Sequence, residues 1–280
     1  MSAALAESVG RRFAPVPVRY THESSILYAL SLGCGSDPLD PTQLRHVYEK
    51  GLVTLPTQAC VIGHRSIRDM DLGIDYTKVV HSGQQLRLYR PIPSEGELIS
   101  EAMIEDVVDY GRERGAAICL LRTLSDADGR VAENRMEILC RGDGGFAANP
   151  SPRPAFPPMP ETPPEAIFTL ATSPQAALLY RLNGDANPLH ADPDVARKAG
   201  FDRPILHGLA TFGMAARAVL ACIGEKSTLG SIGGRFSAPV YPGETLVTEI
   251  WRNGADIRFR TLVAERAVVV LNHGTARVIG

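Results

Sequence analysis

Arg235-Phe236-Ser237-Ala238-Pro239-Val240-Tyr241-Pro242-Gly243-Glu244-Thr245-Leu246-Val247-Thr248-Glu249-Ile250-Trp251 reads as a short strand, a proline corner, a Gly-Glu turn and a longer strand. The first half of the chain holds its echo. Arg87-Leu88-Tyr89-Arg90-Pro91-Ile92-Pro93 leads through Gly96-Glu97 into Leu98-Ile99-Ser100-Glu101-Ala102-Met103-Ile104. Two alternating apolar/polar segments follow each copy: 116–124 and 131–140, then 256–264 and 267–278. Alternation of period two fits antiparallel strands with one covered face. A repeat of roughly 147 residues is too long for a solenoid, so the pattern predicts a duplicated domain.

Between the copies, Asn149-Pro150-Ser151-Pro152-Arg153-Pro154, Pro157-Pro158 and Pro163-Pro164 lack the amide donors of a sheet and cannot continue a helix. The expected organisation is therefore a first domain over 1–148, a stiff extended linker over 149–166 and a second domain over 167–280.

The copies differ in their helices. Gly208 to Ile223 is apolar nearly all round and predicts a buried helix wrapped by a curved sheet. Ahead of it, Asp192 is placed to cap a short helix from Pro193 to Gly200. The comparable stretch of the first half, 57–80, offers only Ala59-Cys60-Val61-Ile62-Gly63 before charged residues intervene. The first copy is thus expected to have lost its central helix, leaving room for a bulky ligand.

The remaining composition excludes several classes. The 280 residues carry a formal net charge of −2, with no basic run of the kind that marks a nucleic-acid surface. No stretch of about 18 apolar residues occurs, which argues against a membrane span, and Met1 to Tyr20 shows no signal-peptide pattern. Five scattered cysteines form no CxxC pair, so neither a disulfide framework nor a zinc site is indicated. The simplest setting is a reducing, cytoplasmic one.

Chemistry concentrates in Tyr180-Arg181-Leu182-Asn183-Gly184-Asp185-Ala186-Asn187-Pro188-Leu189-His190, with His207-Gly208 downstream. A carboxylate and an imidazole beside a helix N-terminus can move a proton and hold developing negative charge. Asp185 flanked by Asn183 and Asn187 also fits a plain Asx-rich turn. His207 fits a residue that holds a carbonyl ahead of its helix. Asp185, His190, Asp192 and Asp194 could make a metal cluster, but Asp192 fits better as a cap and Asp194 in the first helical turn, so no metal is expected. Gly144-Gly145 lacks the strand-to-helix context of a dinucleotide fingerprint, and no Gly-x-Ser-x-Gly elbow occurs.

The stretch 180–210 resembles the hydratase 2 signature of the MaoC-like, R-specific enoyl-CoA hydratase family. Leu55-Pro56-Thr57, His81-Ser82-Gly83-Gln84-Gln85 and Arg141-Gly142-Asp143-Gly144-Gly145-Phe146 are similar to its double-hot-dog branch. At Ser82-Gly83 the chain departs from the Gly-Glu common after that histidine, which bears on acyl-chain preference. The resemblance implies an α+β fold of two antiparallel sheets, the second wrapping a long central helix and the first with its helix reduced. It implies reversible hydration of trans-2-enoyl-CoA to (3R)-3-hydroxyacyl-CoA, with no cofactor beyond the CoA of the substrate. Asp185 and His190 would activate water, the Gly208 amide would receive the oxyanion, and Asn187 would orient the water or the Asp185 loop. Arg90, His207, Arg235 and Phe236 are candidates for substrate binding. His81 and Gln84 would support packing between the halves. A hot-dog acyl-CoA thioesterase and a non-catalytic acyl-CoA binding subunit are the alternatives. The expected partner is an acyl-CoA, with no nucleic acid or membrane, and a homodimer is compatible with the fold.

Overall fold

The computed structural model describes residues 5–224 and 227–279. Among the described residues, ten strands form one antiparallel sheet. The first half supplies β1 (Val16–Tyr20), β2 (Val79–Leu88), β3 (Gly96–Asp109), β4 (Ala116–Asp126) and β5 (Gly129–Cys140). The second supplies β6 (Ala166–Ala171), β7 (Thr228–Phe236), β8 (Thr245–Asn253), β9 (Asp256–Val263) and β10 (Val268–Ile279). Their spatial order is β1-β3-β4-β5-β2-β7-β10-β9-β8-β6, so the second half mirrors the first across the β2–β7 seam. The two expected sheets are therefore two halves of one.

That seam carries the symmetry. Gln85 pairs with Gly233 at its centre. These two are 148 positions apart, the same spacing as Pro91 and Pro239. A Cβ at Gly233 would stand 3.1–3.2 Å from Gln85 Cγ and the Gln84 carbonyl, so glycine lets the two edges close on each other.

The helices repeat as well. After β1 come α1 (His22–Ser31) and α2 (Pro41–Leu44), then a 3-10 turn at Pro56–Cys60. After β6 come α3 (Ala176–Tyr180), α4 (Pro193–Lys198) and α5 (Gly208–Ile223). Asp40 caps α2 ahead of Pro41 as Asp192 caps α4 ahead of Pro193, each accepting the amide two residues on. The helix α5 keeps the bounds read from its apolar run, and twelve of its sixteen residues are buried. Its core position is sealed by Phe212, Ala215 and Val219 from the helix and Ile250, Phe259 and Leu271 from the sheet.

In the first half the central helix is cut to the single turn Pro56–Cys60. Arg122, itself buried, bolts it down by donating to the carbonyls of Ala59 (2.9 Å), Cys60 (2.7 Å) and Ile62. Asn134 adds a bond to the Ala59 carbonyl at 3.0 Å. Three acceptors satisfy a charge that would otherwise be costly to bury. On the side of this turn toward Met70, the space is filled by the chain itself. Met70, Leu72 and Ile74 fold back onto Ala102, Ile104, Leu120 and Ile138, because an uncovered apolar sheet face would stand open to water. What remains beside Cys60, His64, Met70 and Leu120 is about 10 Å³, the space of one water.

From Arg141 to Glu165 there is no helix or strand. This stretch lies along the sheet, held by the Trp251 indole N–H donating to the Thr162 carbonyl at 2.7 Å and by Phe156 stacked on His273. Among the described residues no helix is long and apolar enough to cross a membrane.

Candidate active site

Two local structures bring the predicted acid/base pair together. Asp185 follows Gly184, whose positive φ of 107° turns the chain out of a short helical turn. The Asp185 carboxylate accepts the Asn187 amide at 3.2 Å, and the Asn187 side chain in turn caps the 3-10 turn Pro188–His190 through the Leu189 amide. Asn187 thus sets the Asp185 loop, one of the two tasks expected of it. His190 ends that turn and is buried.

Its Nδ1 lies 2.8 Å from the Ile205 carbonyl. A carbonyl only accepts, so Nδ1 carries the proton and Nε2 presents a lone pair. His207, the residue that caps α5, lies 3.2 Å through Nε2 from the Asp185 carbonyl and is 1 % exposed. By the same argument its Nε2 is the donor. Its ring is stacked on His190 with centroids 3.7 Å apart, and Tyr180 packs behind it at 4.9 Å. His207, read from the sequence both as a substrate-binding candidate and as a residue that holds a carbonyl, is buried between two rings and bonds the Asp185 carbonyl.

Burial opposes the Asp185 charge, yet His207, His64 and His190, which gain charge as the pH falls, and the Asn187 amide outweigh it, and the carboxyl lies below the usual carboxylate range. Burial lowers His190, with the Ile205 carbonyl and Asp185 restoring part of the loss. Burial and the neighbouring His190 push His207 down to about 3. Near neutral pH the site is one carboxylate among neutral imidazoles.

Gly208 opens α5 at this point. The first amides of a helix have no acceptor within it and carry partial positive charge. A Cβ at Gly208 would stand 3.3–3.5 Å from the Phe236 ring, so the glycine lets that ring pack close against the start of the helix. Phe236 also meets the His81 ring edge-on at 4.7 Å. His81, on β2 of the other half, is depressed by burial to about 4. Its Nε2 is 3.0 Å from the Gly83 carbonyl.

His64 belongs to this cluster and was missed by the sequence reading. Burial and Arg122 lower it, while Asp185 works the other way. The only signal was its place directly after the apolar run that ends at Gly63.

The two arginines part company. Arg235 lies over Gly83, 3.1 Å from where a Cβ would stand, and pairs with Glu137 at 2.5 Å; Ser82 bonds the same carboxylate. It is near the site by way of its neighbour Phe236. Arg90, expected to join it beside CoA, is instead ion-paired with Asp126 and lines a cavity at the far end of α5. The helix is about 24 Å long, so Arg90 is not part of the Asp185 cluster.

Asp185, His190 and His207 offer ligand-capable atoms within 4.8 Å of one another. This trio can geometrically hold a metal ion. It differs from the cluster considered in the sequence, since Asp192 is spent on capping α4 and Asp194 on an ion pair with Arg197. The spacing of Asp185 and His190 equally suits one water bridged by two hydrogen bonds of about 2.8 Å.

The chain's two halves match two protein families in tandem. Residues 18–142 match the MFE-2 hydratase 2 N-terminal domain, and residues 155–273 match the MaoC like domain. The chain is 38 % identical over 278 residues to the peroxisomal enoyl-CoA hydratase 2 of Arabidopsis thaliana, covering 90 % of this chain and 89 % of that one. It is also 38 % identical over 280 residues to the peroxisomal multifunctional enzyme type 2 of Mus musculus. There it spans 95 % of its own length and 37 % of the mouse protein. A MaoC-like dehydratase of Phytophthora capsici superposes with a TM-score of 0.82 at 25 % identity, covering 98 % and 97 % of the two chains. A Mycobacterium tuberculosis protein with a double hot-dog fold superposes at 0.57 and 16 % identity over 97 % of each chain. The fold is a double hot-dog, and the chain belongs to the MaoC-like hydratase 2 family.

Proposed function

We propose that the protein is an R-specific 2-enoyl-CoA hydratase, running in reverse as a 3-hydroxyacyl-CoA dehydratase. The observation that carries the reading is His190, anchored through Nδ1 by the Ile205 carbonyl, with a ring nitrogen within 4.8 Å of an Asp185 carboxylate oxygen beside the start of α5. Names of relatives that match along nearly the whole chain support it, among them a 3-hydroxyacyl-thioester dehydratase of Mycobacterium tuberculosis that is 36 % identical.

In this mechanism a water lies between Asp185 and His190. As its oxygen bonds to Cβ of the enoyl thioester, His190 Nε2 takes one of its protons. Electron density moves through Cα to the thioester oxygen, which meets the Gly208 amide at the positive end of α5. The Asp185 carboxylate stabilises the imidazolium, which then returns the proton to Cα. The product carries OH on Cβ and H on Cα, and the dyad is restored. A positioned base supplies roughly 10²–10⁴-fold of rate and an oxyanion donor roughly 3–4 kcal/mol.

The acyl chain runs from the dyad past His81 toward Met70 and Leu120 in the first half, which requires the segment around Met70 to move outward. We place the protein in a reducing compartment on the strength of its five free cysteines; the plant and mouse relatives are named peroxisomal, which is compatible with that. A homodimer of the whole chain is a further expectation.

Incubation with crotonyl-CoA tests the reaction. Loss of the conjugated absorbance without release of CoA thiol, and a (3R)-3-hydroxy product, are expected. Thiol release would make the protein a thioesterase, and no change in either signal would make it a binding subunit.

A further inference from the structure

The pseudo-two-fold axis at Gln85 and Gly233 gives the active-site end of the molecule a counterpart at the other end. A cavity of about 440 Å³ stands at that counterpart, between the 3-10 turn Pro56–Cys60 and the last turns of α5. At the same 148-residue spacing, Leu88 answers Phe236 and Leu229 answers His81, and both leucines line the cavity. Even the imidazole anchor recurs. His46 Nδ1 lies 2.6 Å from the Val53 carbonyl, two residues before the cap Leu55 of the short turn. His190 Nδ1 is bonded to the Ile205 carbonyl, two residues before the cap His207 of α5.

The chemistry at this end has changed. Leu55 caps where His207 caps, and the nearby Asp40 carboxylate is committed to the Thr42 amide and hydroxyl and the Gln43 amide. Among the described residues the walls mix apolar side chains with polar ones such as Thr54 and Thr228, and Arg45, Arg90 and Arg217 outnumber Asp40, the one carboxylate of that lining. Arg90 is paired with Asp126, whereas buried Arg217 bonds the neutral Leu32 carbonyl and keeps its charge toward the cavity. The volume falls in the usual range for small-molecule pockets of about 300–1,000 Å³.

We propose that this cavity is a second, non-hydrating ligand site that holds an acyl chain with an anionic head, a fatty carboxylate or a fatty acyl-CoA. The retained architecture supplies an acyl-sized slot, the leucines replace the reactive and aromatic groups, and Arg217, whose bond is to a neutral carbonyl, supplies the charge for the head. The assignment stands on the symmetry and the lining and does not need the hydration chemistry to be right.

The test is calorimetric titration with sodium dodecanoate and, separately, dodecanoyl-CoA. The proteins are the wild type, Asp185→Asn, Ala221→Trp and Thr228→Tyr. Ala221 and Thr228 line the cavity, are exposed and lie at the end of α5 away from Gly208. Dodecanoate binding weakened by about tenfold or more in Ala221→Trp, with crotonyl-CoA hydration unchanged and Asp185→Asn binding as the wild type does, is the expected result. Thr228→Tyr repeats the test should Ala221→Trp not fold. Tighter Ala221→Trp-sensitive binding of dodecanoate than of dodecanoyl-CoA identifies a free fatty acid as the ligand, and the reverse order identifies the thioester. The proposal is overturned if the wild type binds neither ligand at about 1 mM, or if both cavity variants bind them as the wild type does. Dodecanoate binding by a protein that hydrates nothing would leave this site standing and sink the hydratase reading.

Discussion

Gly208→Ala separates the role of the bare helix mouth from the stability of the helix. Gly208 has no positive φ, so alanine fits its backbone, and removing glycine from a helix stabilises by about 0.5–1 kcal/mol. Against this, the new Cβ meets three Phe236 ring atoms at 3.3–3.5 Å, at the tight limit of ordinary contact. Ring and helix mouth must part by a few tenths of an ångström. The two stability effects oppose each other, so Tm should move by no more than about 4 °C. Catalysis is less tolerant. A 1 Å misplacement can cost about 10²-fold, and a methyl group also stands where the thioester oxygen must approach. The expected loss in kcat/KM is about 10- to 100-fold, read from crotonyl-CoA hydration alongside thermal unfolding. Phe236→Leu, which copies Leu88 of the other half, should recover part of that loss in the double variant by giving the methyl room. Full activity in Gly208→Ala would refute the oxyanion assignment. A loss that Phe236→Leu does not relieve would refute the steric part of the argument.

The remaining predictions concern the base, pH and the acyl chain. Asp185→Asn and His190→Ala should each lower kcat by about 10²–10⁴-fold with an unchanged circular dichroism spectrum, and near-full activity in either would sink the dyad. Because His190 is held below 6.5 in the native protein, the acid limb of kcat/KM should lie below pH 6.5; a limb above 7 would contradict a neutral, buried base. Stability should follow the same sign. An unfolded chain takes up protons near pH 6.5 that buried His81 and His207 refuse, so chemical-denaturation stability is full above 6.5 and falls progressively toward about 4 and then about 3. Met70→Ala should cost about 2–5 kcal/mol of stability while raising kcat/KM for decenoyl-CoA relative to crotonyl-CoA, and an unchanged ratio would place the chain elsewhere.

Particular residues explain what the sequence could and could not reveal. The helix Gly208–Ile223 was legible to its ends because its apolar surface closes all round and His207 and Gly224 flank it. The longer inner strands were legible from alternation. The edge strands β1 and β6 were not: Val16–Tyr20 carries Pro17, tolerated at an edge where one side needs no partner, and Ala166–Ala171 follows directly on the proline tract. Union of the sheets depends on close approach at Gly233, which leaves no periodic trace. Asp185, His190 and Gly208 were singled out by motif, and the structure places them together. His64 and His81 reach the site only through the pairing of halves, and Arg90 was misplaced because strand-end position says nothing about which end of α5 lies beneath it.

The β2–β7 seam has a consequence for how the two ends can diverge. In a dimer of identical single-copy subunits, any substitution near the axis is written twice, and both mouths must accept it. Here each side is encoded separately. Histidine can stand at position 81 while leucine stands at 229, and a long helix can face a single turn. Joining the halves removed the obligation of equivalence, so one mouth can be refined for turnover while the other drifts toward a different occupant.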